Sequence, residues 1–141
     1  MRLDPAALPD DAVAFLTERH LATLTTPRPD GTPHVVPVGF TWDADAGLAR
    51  VITSGQSRKA AYAADTRVAL CQVDRARWIT LEGVATVSAD PDRVAEAVRR
   101  YAQRYRQPRV NPQRVTIEIA VDRVMGHLPA TAPAAPATAR A

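Results

Sequence analysis

The strongest candidate for a chemical site is the stretch Thr53-Ser54-Gly55-Gln56-Ser57-Arg58-Lys59, which contains the only lysine of the chain. It follows an apolar run and precedes an alanine-rich segment, a pattern that predicts a strand exit and then a short helix. Ser57 is placed to cap this helix. Hydroxyls, two cations and free backbone N–H groups would then converge and could bind a phosphate. A capped surface helix with two solvated charges is the alternative, and the residues alone leave both open.

A second candidate is a basic run near the end of the chain. Its arginines are Arg99, Arg100, Arg104, Arg106, Arg109 and Arg114. Such a run is usually a solvated face, but it could bind a nucleic acid or a ligand with several carboxylates. Tyr101 and Tyr105 interleave with it, as in nucleic-acid-binding modules. Their spacing fits a buried helix face better, so we expect no nucleic-acid partner.

The sequence lacks the usual patterns of nucleophilic and metal chemistry. His20, His34 and His127 lie far apart, and no Gly-x-Ser-x-Gly motif is present. Histidines and carboxylates do not cluster along the chain, so we expect no metal site. Of the three histidines, His34 is the one expected to contact a ligand. The single cysteine, Cys71, excludes an intramolecular disulfide.

The composition is that of one ordinary globular domain. The chain has 141 residues, 46% of them hydrophobic, and a net charge of +3. No run approaches the roughly 18 apolar residues of a membrane span, and the first residues do not form a signal peptide. We therefore expect a cytoplasmic protein without a membrane partner.

The candidate residues must be positioned by a mainly β chain. Strands are predicted at residues 21–26, 34–42, 48–53, 68–73, 78–88 and 114–124, and helices at 10–20, 57–64 and 90–105. Short strands with inserted helices favour a small antiparallel barrel over a parallel sheet. Residues 1–128 are expected to form this domain, and residues 129–141, rich in Ala and Pro, a disordered tail.

Four single residues carry more local expectations. Pro37 removes a backbone donor from the second strand, which predicts an edge strand or a bulge with backbone free for a ligand. Gly83 predicts a bend in the fifth strand. Asp10 and Asp90 are each placed to cap a helix.

Four motifs, in this order and spacing, resemble the flavin and deazaflavin oxidoreductase superfamily, which shares the split β-barrel of pyridoxamine 5′-phosphate oxidase. They are His34 to Phe40, Thr53 to Lys59, Asp65 to Leu70, and Trp78 to Gly83. Thr66 stands where the family usually has proline. The resemblance covers residues 10–127. Within the superfamily, Arg100 to Arg106 with Pro108 and Asn111-Pro112 is most similar to the actinobacterial coenzyme F420-dependent biliverdin reductases.

The resemblance implies a six-stranded antiparallel split β-barrel of the FMN-binding type, and a homodimer with the cofactor at the interface. The cofactor would be coenzyme F420, with FMN as the alternative. The implied cofactor-binding residues are His34, Val36, Pro37, Val38, Thr53, Ser54, Ser57, Arg58, Lys59, Arg77 and Trp78.

The resemblance also implies a role for most of these residues. Ser57, Arg58 and Lys59 would hold the cofactor phosphate, helped by the strand end at residues 53–54. The backbone of residues 36–38 would contact the ring. Trp78, with Arg77, would approach from the partner subunit or the adjoining strand.

The implied function is a reductase that transfers a hydride from the reduced deazaflavin to a conjugated substrate, with the tetrapyrrole biliverdin expected. The cofactor carries this chemistry, so no catalytic residue is required. An FMN enzyme of the pyridoxamine phosphate oxidase type is one alternative, although the chain lacks that type's late Arg-x-His clamp. A non-catalytic carrier of flavin, haem or bilin is another. Arginines would hold carboxylates of the substrate or of the cofactor tail, and the sequence does not say which.

Overall fold

The computed structural model describes residues 1–130, in eight strands and three helices. The strands are β1 (Arg2–Leu3), β2 (Ala22–Pro27), β3 (Pro33–Val38), β4 (Thr41–Asp43), β5 (Leu48–Ser54), β6 (Thr66–Asp74), β7 (Arg77–Ser88) and β8 (Arg114–His127). The helices are α1 (Asp10–Thr17), α2 (Arg58–Ala63) and α3 (Pro91–Arg104). The predicted disordered tail lies outside the described residues from position 131 onward.

All strand pairs are antiparallel, in the order β3-β2-β6-β7-β8-β5-β4, with β1 added beside β8. The prediction of a mainly β, antiparallel fold is confirmed. The number of strands within residues 1–130 is eight rather than six. The two additional strands are the two-residue β1 and the three-residue β4, both too short to stand out as a periodic pattern.

The single strand predicted over residues 34–42 is wrong, because the chain breaks it into β3 and β4. The Phe40 N–H donates to the Tyr105 hydroxyl at 3.2 Å. The Phe40 carbonyl accepts from Arg104 at 2.6 Å. Side chains of α3 and its end therefore satisfy the backbone that a neighbouring strand would otherwise pair.

Gly83 sits at the register shift between β7 and β8, as predicted from the sequence. A Cβ added there would lie 1.9 Å from the Ala120 carbonyl oxygen. The two strands approach so closely at this bulge that only glycine fits.

The core lies between the inner face of the sheet and helix α1. The largest fully buried apolar side chains are Phe15, Leu16, Leu24, Phe40, Leu70, Ile79, Leu81, Ile117 and Ile119. Alternation of buried and exposed positions along β2 and β6 is the period-2 pattern of strands with one face in the core. Because one face of the sheet is packed against the core, the ends of β3 and β5 are held in fixed positions.

The helices begin and end close to the predicted positions, with one exception in the capping. Ser57 caps α2 and Asp90 caps α3, each accepting a hydrogen bond from the third residue after it. Asp10 does not cap α1, because the preceding Pro9 takes the cap position and offers no side-chain hydrogen bond. Helix α1 ends at Thr17, and the Glu18 carbonyl instead accepts from the Arg104 guanidinium.

No helix within residues 1–130 has the length and apolar character needed to cross a membrane. The cytoplasmic location stays a prediction.

Candidate functional site

A cavity of about 310 Å³ opens where the ends of β3 and β5 face helix α3. It is lined by Pro37, Val38, Gly39, Ile52, Thr53, Ser54, Lys59, Tyr101, Pro108, Asn111 and Arg114. These residues include no carboxylate, histidine or cysteine. The cavity therefore offers hydroxyl, amide and cationic groups for binding, but no carboxylate or imidazole to act as a general base.

The end of β5 is joined to the start of α2 by hydroxyl groups. The Thr53 hydroxyl donates to the Ser57 Oγ at 3.0 Å, and this Oγ accepts from the Ala60 N–H at 3.2 Å. Ser57 is thus committed to the helix cap and does not line the cavity. Thr53 and Ser54 do line it, so the predicted strand-end hydroxyls are at the site.

Lys59 and Arg58 differ in where α2 places them. Lys59 is half-buried and lines the cavity, and it has no ion pair with any carboxylate of residues 1–130. Arg58 is exposed and lies outside the lining. Consecutive residues on a helix point about 100° apart, which separates the two cations. Arg114 also lines the cavity and has no ion pair within residues 1–130, so Lys59 and Arg114 are the two uncompensated positive charges of this cavity.

Strand β3 lies at the end of the sheet order and, among the strands of residues 1–130, pairs only with β2, so the edge position predicted from Pro37 is confirmed. Pro37, Val38 and Gly39 line the cavity. An edge strand leaves alternate backbone N–H and C=O groups without a strand partner. This backbone is free to bind the polar edge of a flat ligand.

The other two predicted residues of β3 do not line the cavity. Val36 packs against the core. The His34 ring stands edge-on to Tyr62 of α2, with ring centroids 5.1 Å apart, and its Nδ1 is buried without a hydrogen-bond partner among the described residues. Ligand contact by His34 stays a prediction.

Arg77 and Trp78 lie at the start of β7, away from the cavity lining. The Arg77 guanidinium binds Glu18 at 2.9 Å and Asp74 at 2.6 Å, and lies 4.7 Å from the centre of the Phe15 ring. Trp78 is half-buried and pairs with Val73 on β6. Within one chain, neither is brought to the residues around Lys59.

One cluster of potential metal ligands forms that the sequence did not suggest. Ligand atoms of Glu18, His20 and Asp74 lie within 4.8 Å of one another. The expectation that histidines and carboxylates stay apart is therefore wrong. Hydrogen bonds from Arg77, and second from His20, lower the pKa of Glu18 to about 2. The Arg77 guanidinium bridges the carboxylates of Glu18 and Asp74, so a cation of the protein itself already neutralises this cluster.

Much of the basic run is bound to the protein itself. Arg99 and Arg100 both pair with Glu96, and these hydrogen bonds, Arg99 first, lower the pKa of Glu96 to about 2. Arg104 is half-buried and donates to the carbonyls of Glu18 and Phe40. These three arginines therefore do not form a free surface for a polyanion.

Six lining residues lie outside the predicted cofactor-binding set: Gly39 after β3, Ile52 of β5, Tyr101 of α3, Pro108 and Asn111 of the loop after α3, and Arg114 at the start of β8. Of these, Arg114 was singled out only as part of the basic run. Tyr101 was read only as part of a buried helix face. The proline-rich loop after α3 was the one available signal, since such loops often carry function. Tyr101 and the lining residues after it come to lie beside β3 and β5 only through tertiary contacts, which local sequence patterns do not predict.

Comparison with known proteins places this geometry among oxidoreductases. The chain is 59% identical over 120 residues to the F420H(2)-dependent biliverdin reductase of Mycobacterium tuberculosis (strain CDC 1551 / Oshkosh), covering 84% of this chain and 88% of that protein. A solved F420 reductase is 25% identical, with a TM-score of 0.68 over 84% of this chain and 98% of the other. A conserved hypothetical protein from Mycobacterium tuberculosis, 21% identical, shares the fold, with a TM-score of 0.74 over 98% of this chain and 99% of the other.

A family model described as pyridoxamine 5′-phosphate oxidase matches residues 8–127, which is most of the chain. The match includes every strand except β1 and all three helices. Together with the related structures, it confirms the split-barrel type of fold predicted from the four motifs. The chain belongs to the pyridoxamine 5′-phosphate oxidase family.

Proposed function

We propose that the protein is a coenzyme F420-dependent reductase that acts on a conjugated substrate, with biliverdin as the expected one. The observation that carries the proposal is the cavity at Lys59, in a chain 59% identical to a biliverdin reductase. Two unpaired cations, Lys59 and Arg114, with two hydroxyls and an edge backbone, suit a flat ring that carries a phosphate. When bound, the reduced deazaflavin supplies the hydride.

The protein's own residues bind and orient in this proposal. Lys59 holds the phosphate, with the hydroxyls of Thr53 and Ser54 beside it. Ser57 acts by capping α2, which fixes the position of Lys59. Arg58, exposed outside the cavity, adds a weaker long-range attraction.

The ring lies along β3. The backbone of Val36, Pro37 and Val38 runs along the edge of the sheet, and Pro37 and Val38 line the cavity. Unpaired C=O and N–H groups of this edge hold the polar side of the ring. His34, whose ring packs edge-on against Tyr62, is a proposed neighbour of the cofactor. A fixed ring position matters because hydride transfer requires the reacting atoms at about 3–3.5 Å.

We propose further that two copies form a homodimer, with the outward face of β2, β3 and β6 as the interface. Val35 of β3 and Val73 of β6 are 54% and 58% exposed. Val73 pairs with Trp78, so their side chains share this face. Exposed apolar patches are typical of interaction surfaces, and a two-fold interface needs a self-complementary one.

The dimer gives Trp78 and Arg77 a route to the cofactor. In one chain these residues lie away from the cavity, whereas a second copy covering the same face brings its own Trp78 toward the first copy's β3. The proposed interface position of the cofactor rests on this arrangement.

A coenzyme panel tests the proposal. The apo-protein is titrated with coenzyme F420, FMN and NADPH, with binding followed by quenching of tryptophan fluorescence. Tight binding of F420 alone, followed by loss of biliverdin absorbance when reduced F420 is present, is the expected result. Tighter binding of FMN than of F420 would instead establish the flavin enzyme that the family's name favours. Binding of F420 without turnover would establish a carrier.

A further inference from the structure

A second cleft of about 350 Å³ adjoins the cavity at Lys59, and Tyr101 lines both. Its lining residues are Arg19, His20, Leu21, Tyr101, Tyr105 and Arg106. Among residues 1–130, Tyr101 is the one residue that lines both spaces, so the two spaces adjoin at this residue. Volumes of about 310 and 350 Å³ are each at the lower end of the range for small-molecule sites. Two adjoining ligands, or two parts of one ligand, fit this arrangement.

The second cleft carries positive charge that the protein does not compensate. Arg19 and Arg106 are exposed, and neither forms an ion pair with a carboxylate of residues 1–130. Within the described part of the chain, no carboxylate belongs to the lining. The acidic neighbours of His20, Glu18 and Asp74, are both held by Arg77. Two free guanidinium groups at one cleft are suited to carboxylates, which they bind in bidentate geometry.

Apart from His20, the remaining lining residues of this cleft are apolar or aromatic. Leu21 is 62% exposed. The rings of Tyr101 and Tyr105 lie 4.9 Å apart between centroids at an interplanar angle of 36°. The Tyr105 hydroxyl donates to the His20 carbonyl at 2.6 Å, which fixes that ring against the connection between α1 and β2. Preorganised aromatic rings bind flat conjugated groups without a large entropic cost.

We propose that this cleft, formed around Arg19, Arg106 and Tyr101, binds the carboxylates of a ligand whose conjugated or peptide-like body reaches across Tyr101 from the cofactor cavity. The inference rests on the proposed function for the identity of that ligand. Two sources share the chemistry. One is a substrate with two carboxylate side chains, such as biliverdin, and the other is the glutamate tail of coenzyme F420.

The test uses the full-length protein and direct binding, without turnover. The variants are Arg19→Gln, Arg106→Gln and the double variant, and the matched control is Arg2→Gln, an exposed arginine outside both clefts. The probes are biliverdin, biliverdin dimethyl ester, F420 with its glutamate tail, and F420 stripped of all glutamates. Dissociation constants are measured by fluorescence quenching, and circular dichroism verifies that each variant is folded.

We expect each Arg→Gln change to weaken the binding of one of the two acidic probes, biliverdin or glutamate-tailed F420, by about tenfold. If biliverdin loses affinity and its dimethyl ester does not, the cleft binds substrate. If glutamate-tailed F420 loses affinity and the stripped form does not, the cleft binds the cofactor tail. Unchanged affinity of both acidic probes, or equal losses for the acid and the ester, would overturn the proposal.

The same measurements separate this inference from the proposed function. A wild-type protein that fails to bind F420 but binds biliverdin in an Arg19- and Arg106-dependent way would refute the reductase and leave the carboxylate cleft standing. If the protein binds F420 and turns over biliverdin equally well with and without both arginines, the reductase stands and the carboxylate cleft is refuted.

Discussion

The hydroxyl of Thr53, at the end of β5, donates a 3.0 Å hydrogen bond to the hydroxyl of Ser57, which caps helix α2. This bond ties the strand that carries the cavity hydroxyls to the helix that carries Lys59. A change at Ser57 therefore affects both folding and the position of the cation, although Ser57 itself does not line the cavity.

Replacing Ser57 by Ala is expected to reduce the free energy of unfolding by about 0.5–2 kcal/mol through loss of the cap. It should also weaken F420 binding, because Thr53 loses its acceptor and α2 frays at Lys59. Denaturant titration and fluorescence quenching measure the two effects. Asp90→Ala, which removes the cap of α3, is the matched control. It should destabilise the fold similarly without weakening F420 binding. Equal losses of F420 affinity in both variants would show that the Thr53–Ser57 hydrogen bond does not position Lys59.

Replacing Lys59 by Ala should weaken F420 binding about ten- to a hundredfold, because a charge-assisted hydrogen bond to an ion is worth about 1.5–3 kcal/mol. A phosphate-free deazaflavin analogue should bind equally well before and after the change. Arg58→Ala is the neighbouring control, and its effect should be smaller because Arg58 lies outside the lining. Equal losses for both ligands would show general damage rather than a phosphate contact.

Replacing Gly39 by Ala should disturb both clefts. The new Cβ would lie 3.0 Å from Tyr101 Cε2 and 3.1 Å from Tyr105 Cε2, so the two rings must shift. We expect a stability loss of about 1–3 kcal/mol and weaker binding of F420 and biliverdin. Gly83→Ala, whose Cβ meets a backbone oxygen at 1.9 Å, should destabilise far more. Unchanged affinity for both ligands in a folded Gly39→Ala variant would show that the tyrosines do not contribute to binding.

Glu18 gives the fold a pH dependence with a definite sign. Its pKa in the folded protein is about 2, below the ordinary 4.5, owing first to Arg77 and then to His20. The ionised form therefore stabilises the fold above about pH 4.5, and this stabilisation is lost as the pH falls toward 2. Glu18→Gln should lower stability at pH 7 and flatten its decline below pH 4.5. Urea titrations across this pH range measure the free energy of unfolding, with Asp45→Asn, at an exposed position, as the control. A Glu18→Gln stability curve parallel to that of the wild type would contradict the assigned role of Glu18.

The proposed dimer face can be disrupted by a single charge. Val73→Asp places a carboxylate on the exposed apolar face beside Trp78. It should convert the dimer to a monomer at micromolar concentration in sedimentation, and should weaken F420 binding if Trp78 acts across the interface. Val110→Asp, at a position 96% exposed, is the control and should remain dimeric. A wild-type monomer at this concentration would refute the dimer.

The sequence alone was sufficient for features set by local hydrogen bonding and backbone shape. The caps at Ser57 and Asp90 were predictable because a side-chain oxygen reaches an N–H three residues away. Pro37 indicated an edge strand because it has no donor for a second neighbour. Gly83 indicated the bend because a bulge needs space that a Cβ would fill. The strand-end hydroxyls and Lys59 were predictable as a group because they are adjacent in the chain.

Only the tertiary structure decided which distant residues share a surface. Tyr101 and Arg114 reach the cavity because α3 and β8 return to β5, and Arg77 meets Glu18 across 59 positions of chain. The break between β3 and β4 arises because Arg104 and Tyr105 satisfy the backbone of Phe40. These contacts depend on how the chain closes on itself. Periodicity and local propensity carry no information about such long-range pairs, because they report only on neighbours within a turn or a strand.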